Sequence, residues 1–199
     1  MEVNISKVLY TGDFLIDNKF EDETIGIDSN FPRWTDMVAK ELEFEYINEA
    51  NEEIEIDEIA TLSTSRVSVF KPSHVILNGG VNDIRRDTPV DHVVNDLEFL
   101  SIVLYESSID MIYVFIPIDF RGIDLGSVYN TRYSELRRKL IALFDKYGDK
   151  YIDLSTILGG VGNVKSTAYL PDKVHQNQNG QMLIAREVSE KLRGWYGIK

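Results

Sequence analysis

The chain has 199 residues, 43% of them hydrophobic, which is enough to bury one sizeable core and lies within the range of a single domain spanning residues 1–199. Its 21 lysines and arginines are outnumbered by 33 aspartates and glutamates, and the formal charge of -12 repels phosphate backbones and anionic lipid surfaces, so neither nucleic acid nor membrane is an expected partner. Cysteine is absent, which removes disulfides and thiolate metal sites; Met1–Lys7 has no basic, apolar leader character and no run approaches the roughly 18 apolar residues of a membrane span, so a soluble, cytoplasmic protein is expected.

Taken in chain order, short apolar, β-branched runs alternate with longer amphipathic ones, the pattern of a parallel sheet covered by helices on both faces. The first strand is predicted over Val8–Tyr10. A helix follows over Pro32–Leu42, opened by a proline suited to a first helical turn and carrying Trp34, Met37, Val38 and Leu42 at helical spacing. The second strand is predicted over Phe44–Ile47, ahead of an acid-rich run, Glu49–Glu58, that reads as a solvated loop or helix face. Ile59, Leu62, Val67 and Phe70 share a face of a helix over Ile56–Phe70, despite several serines and threonines of low helix propensity.

The third strand, His74–Leu77, precedes a glycine-rich turn and a helix over Pro89–Glu106 with Val93, Leu97, Leu100 and Leu104 on its apolar face. A fourth strand, Met111–Ile116, leads into a long connection, Pro117–Asn130, at the sheet edge where open α/β folds bind ligands, a candidate lid or pocket wall. Thr131–Tyr147, a fifth strand over Tyr151–Leu154 and an amphipathic helix over Gly180–Tyr196 complete the chain.

Loops at the carboxyl ends of parallel strands converge on one crevice, and three segments of this chain fall in such loops: Thr11–Phe14, Asn78–Asp83 and Asp172–His175. Asp172 precedes His175 by three positions, close enough for its carboxylate to orient the imidazole and favour the protonated ring formed during base catalysis. The Asn82 amide and backbone N–H groups near Gly80 are candidate donors to a developing oxyanion, and Asp13 is placed to brace its loop by accepting backbone hydrogen bonds. His74 and His92 lack ligand-like spacing and read as structural, so no metal site is expected; Arg85 and Arg86 read as solvated or paired with Asp83 and Asp87.

Gly12-Asp13, Gly80-Val81-Asn82-Asp83 and Asp172-Lys173-Val174-His175, followed by Asn177 and Gly180, resemble in order, spacing and strand context the motif blocks of the SGNH (GDSL-type) hydrolase superfamily along nearly the whole chain. The resemblance implies a three-layer, flavodoxin-like α/β fold, a five-stranded parallel sheet with helices on both faces, and ester cleavage on acylated sugars, lipids or small acyl substrates without a cofactor. Carried over by position, it makes His175 the general base, Asp172 its orienter and Asn82 an oxyanion donor, with Asp13, Phe14 and Gly80 around the bound substrate.

Two departures set this chain apart: Phe14 stands where the family has its nucleophilic serine, and no Asn-x-Gly or lone glycine occurs between Tyr46 and Asp57, where the second block supplies another oxyanion donor. Thr11, Ser65 and Ser127 are poor replacements, since Thr11 lies three positions early and nothing brings the others to the site. The expectation is therefore a pseudoenzyme that binds a small acyl-ester or acetylated-carbohydrate ligand at the old ester site. The alternatives are an active hydrolase using water activated by His175 and Asp172, and a structural or assembly domain on a hydrolase scaffold.

Overall fold

The computed structural model describes residues 5–17 and 31–198; residues 1–4, on which part of the N-terminal leader reading falls, lie outside the described residues. Strands β1 (Lys7–Gly12), β2 (Glu45–Asn48), β3 (His74–Asn78), β4 (Asp110–Phe115) and β5 (Lys150–Asp153) form one sheet in the order β2-β1-β3-β4-β5, with every pair parallel. Successive side chains of a strand point to opposite faces, and Val8, Leu9 and Tyr10 all have no exposed surface, so both faces of the sheet are covered. That double burial is why these strands read as continuous apolar runs. The edge strands β2 and β5 are only partly buried and carry the polar residues Glu45, Asn48, Lys150 and Asp153.

Helices α2 (Trp34–Leu42) and α8 (Gln178–Tyr196) pack together, and α3 (Ile56–Phe70), α5 (Val90–Glu106) and α6 (Ser127–Tyr147) pack in succession. The fold is thus the α/β, five-stranded parallel architecture with surrounding helices that the motif blocks imply. Boundaries differ from the sequence expectation by at most four residues, and α3 spans Ile56–Phe70 as expected. The largest difference is at α6, which starts at Ser127 after Gly126 rather than at Thr131, taking four residues from the long connection.

Elements below the length at which periodicity can be read were absent from the sequence reading. They are α1 (Phe14–Asp17), α4 (Val81–Arg85), a 3-10 turn over Phe120–Ile123, α7 (Ser155–Leu158) and a small hairpin of β6 (Gly159–Gly160) and β7 (Asn163–Val164). No helix among the described residues is long and apolar enough to cross a membrane.

Packing around β1 fixes the start of the site. The Tyr10 ring meets Trp34 edge-on at 5.6 Å between centroids, the Trp34 indole N–H donates to the carbonyl of Leu15 at 3.0 Å, and the Trp34 backbone N–H donates to Gln181 Oε1 at 2.8 Å. One aromatic residue therefore joins α1, α2 and α8. At the end of β1, Gly12 has φ +147°, and a Cβ there would lie 2.1 Å from the carbonyl oxygen of Asn78, so only glycine lets β1 and β3 finish side by side.

Candidate active site

Asp13, directly after β1, has no exposed surface, and its Oδ1 accepts from the N–H of Leu15 at 3.0 Å, which is the loop-bracing bond expected for it. Burial pushes its carboxyl up to about 7, against the pull of backbone N–H groups of Leu15 and Val81 and the charge of Arg85. Phe14 opens α1 with its ring 6% exposed and packs edge-on against the His175 imidazole, 5.1 Å between ring centroids at 61°. The aromatic ring stands beside the dyad histidine.

After β3, Gly80 adopts φ +95° as the residue that caps α4, and a Cβ there would press on Leu136 Cδ2 at 2.6 Å. The turn points Asn82 toward the loop between β2 and α3. Both hydrogens of its amide are used there, Nδ2 donating to the carbonyls of Glu52 at 2.8 Å and Ile54 at 2.9 Å, while Oδ1 accepts from Arg85 Nη1 at 3.1 Å. Asn82 sits next to the site as a clasp on that loop, and its donors are aimed at backbone oxygens of the chain itself.

Asp83 accepts from the N–H of Ile56 at the start of α3, and burial followed by the nearby charge of Glu55 raises its carboxyl to about 7. Arg85 and Arg86 are solvent-exposed, as expected, but their ion pairs are not with Asp83 and Asp87. Arg86 binds Glu53 and Glu55, and Asp87 is taken by Arg132, because the acid-rich loop folds back over α4 and presents its carboxylates there.

His175 Nδ1 lies 2.6 Å from Asp172 Oδ2, and Asp172 Oδ1 accepts from the backbone N–H groups of Val174 at 2.9 Å and His175 at 3.0 Å. Burial acts to raise the Asp172 carboxyl, but the imidazole and the two backbone donors outweigh it and hold the group below the ordinary carboxylate range. An ionised carboxylate only accepts, so Nδ1 is the protonated ring nitrogen in this pair. The orienting arrangement expected of Asp172 and His175 is formed.

A cleft of about 480 Å³ opens beside this dyad, lined by Phe14, Glu52, Glu53, Arg85, Ile123, Leu125, Val174 and His175. Phe14, Ile123, Leu125 and Val174 make one side apolar; Glu52, Glu53 and Arg85 give the other charged and hydrogen-bonding groups. No hydroxyl side chain is among the described residues lining it, so Thr11, Ser65 and Ser127 stay outside. Thr11 is buried within β1, Ser65 donates to the carbonyl of Leu62 on α3, and Ser127 begins α6. His74 is buried against Tyr196 and beside Ser73, and His92 is exposed on α5.

The sequence reading missed Glu52, Glu53 and Val174 as cleft residues. The only signal for the glutamates was the acid run read as solvated, whereas Ile123 and Leu125 lie in the connection marked as a pocket wall.

No family model and no curated protein matches the sequence. Solved structures do match over nearly the full chain. A lipase/acylhydrolase from Enterococcus faecalis superposes with a TM-score of 0.75 at 19% identity, covering 98% of this chain and 98% of that one. A catalytic mutant of the acetylxylan esterase Axe2 from Geobacillus stearothermophilus gives 0.75 at 16% identity, with 96% of each chain covered. A member of the lipolytic protein G-D-S-L family from Veillonella parvula DSM 2008 gives 0.71 at 17% identity, covering 93% of this chain and 97% of that one. At these identities the likeness is one of architecture, and the architecture is that of the GDSL-type esterases and lipases.

Proposed function

We propose that this chain is a pseudoenzyme of the SGNH esterase lineage, which binds a small acyl-ester or acetylated-carbohydrate ligand in the cleft beside His175 and does not turn it over. The observation that carries this reading is the Phe14 ring, packed 5.1 Å from the imidazole at the position of the serine in the resembling family. Loss of a serine nucleophile costs about a million-fold in turnover in triad enzymes. The Asn82 amide supports the same conclusion, since both of its hydrogens are spent on Glu52 and Ile54 carbonyls and none is left for an oxyanion. The two-sided cleft suits such a ligand: an acyl group fits the Ile123 and Leu125 side, and hydroxyls fit the Glu52, Glu53 and Arg85 side.

The test compares wild type with Phe14→Ser in labelling by a serine-reactive phosphonate and in hydrolysis of short-chain acyl esters and acetylated xylo-oligosaccharides. Wild type is expected to bind the acetylated sugar saturably without cleaving it, and Phe14→Ser to gain labelling. Cleavage by wild type, or no saturable binding of either ligand class, refutes the reading.

A second reading has its own support in the formed Asp172–His175 pair, 2.6 Å apart at an open cleft. In it, His175 takes a proton from a water that attacks the ester directly, with no covalent intermediate. It requires that hydrolysis falls at least about ten-fold in His175→Ala, a threshold set below the roughly hundred- to ten-thousand-fold that a general base typically contributes.

A further inference from the structure

We propose that Gly122 and Asp119, in the turn after β4, are positioning residues that hold the Asp172–His175 pair in register and set the wall of the cleft from one small element. The inference rests on the reading of that cleft as the functional site, but its geometry stands by itself. A Cβ built on Gly122 would lie 1.6 Å from the carbonyl oxygen of Asp172 and 3.1 Å from Lys173 Cβ, so the turn is in direct backbone contact with the loop that carries the dyad. No side chain fits without displacing Asp172.

Three residues earlier, the N–H of Asp119 donates to the carbonyl of Lys173 at 3.0 Å, and Lys173 Nζ lies 3.8 Å from Asp119 Oδ2. The clamp therefore grips the dyad loop on both sides of the Asp172–Lys173 peptide. Lys173 is held at φ +59°, a left-handed conformation that costs a non-glycine residue energy and persists only where its surroundings impose it.

Asp119 is itself fixed from several directions. Its side chain is 2% exposed; Oδ1 accepts from the N–H of Arg121 at 3.1 Å, from Arg121 Nε at 2.9 Å and from Asn130 Nδ2 at 2.8 Å, and Oδ2 accepts from Arg121 Nη2 at 2.9 Å. Arg121 reaches on to the carbonyl of Gly162, and Asn130 Oδ1 accepts from the N–H of Phe120 at 2.9 Å. The acid thus joins α6, the β6–β7 hairpin and the dyad loop. Ile123 and Leu125, next along the same segment, face the cleft, so a shift of the turn moves the apolar wall and the imidazole together.

The test reads the dyad rather than activity. Long-range proton–nitrogen NMR spectra of the His175 ring report which nitrogen carries the proton, and they do so whether or not the cleft binds a ligand, so failure of the ligand reading leaves this test intact. In the wild type at alkaline pH the proton is expected on Nδ1, held by Asp172. In Gly122→Ala and Asp119→Ala the ring is expected to pass mostly to the Nε2-protonated form while unfolding stays cooperative and the His74 and His92 signals do not move. Asp119→Asn keeps the shape and the Oδ1 bonds and is expected to retain the Nδ1 proton.

Retention of the Nδ1 proton in both alanine variants overturns the proposal. So does an equal loss in Asp119→Asn, or a wild-type ring protonated at Nε2 alone. If Gly122→Ala does not fold, the two Asp119 variants decide.

Discussion

Asp13 and Asp83 make the stability of this fold fall as pH rises through neutrality, and Asp13→Asn isolates the first of them. Both carboxyls are raised from 3.8 to about 7, in each case first by burial. Between those values the folded chain holds a proton that the unfolded chain has released. The stabilisation is therefore complete below about 3.8 and is lost as pH rises through about 7.

For fully buried Asp13 the rise from 3.8 to about 7 corresponds to about 4 kcal/mol between the two pH limits, a large fraction of the roughly 5–15 kcal/mol of a typical domain. An asparagine keeps the Oδ1 bond from Leu15 and never ionises. It leaves an unpaired N–H group in place of Oδ2, a cost of about 1–3 kcal/mol that is the same at every pH and drops out of the slope. Urea denaturation of wild type and Asp13→Asn from about pH 5 to pH 8 is the assay. This window avoids the acid limb, where carboxylates held low by partners, such as Asp172 and Asp119, are protonated and stability is lost as pH falls. Buried His74, held down to about 4, makes an opposing gain in stability up to about pH 6.5 that is common to both proteins, so the difference between the two profiles isolates Asp13 and the variant is expected to lose less stability than wild type across the window. Parallel profiles, or a wild type that gains stability toward pH 8, refute the reasoning.

Three further outcomes follow from the geometry. Asn82→Ala leaves the carbonyls of Glu52 and Ile54 without their donor and is expected to cost about 2–3 kcal/mol, with faster hydrogen exchange confined to residues 52–56, measured by denaturation and mass spectrometry. Gly12→Ala forces a Cβ to 2.1 Å from the Asn78 carbonyl at φ +147° and is expected to yield little folded protein, read by circular dichroism of the soluble fraction. Arg86→Ala removes surface ion pairs with Glu53 and Glu55 and is expected to change stability little, with the difference from wild type shrinking as salt is added.

The sheet was legible because doubly buried strands leave uninterrupted apolar runs, and β1, β3 and β4 fall within a residue or two of Val8–Tyr10, His74–Leu77 and Met111–Ile116. The dyad was legible because its partners are three residues apart and one turn brings them together. The state of Asn82 was not. Its partners are backbone oxygens 30 and 28 residues earlier, and any residue type supplies a carbonyl, so nothing in the side-chain pattern marks them. The charged side of the cleft was hidden for a related reason: Glu52 and Glu53 look like any acidic loop until Arg86 and Asn82 draw that loop over α4.

The order β2-β1-β3 means the chain leaves β1 toward one edge of the sheet and later returns to build β3 on its other side. Where two connections diverge in this way a crevice is unavoidable, whatever side chains line it. Deleting an attacking hydroxyl therefore leaves the hollow open, and on the reading proposed above the passage from catalyst to receptor needs no refolding, only a change of tenant.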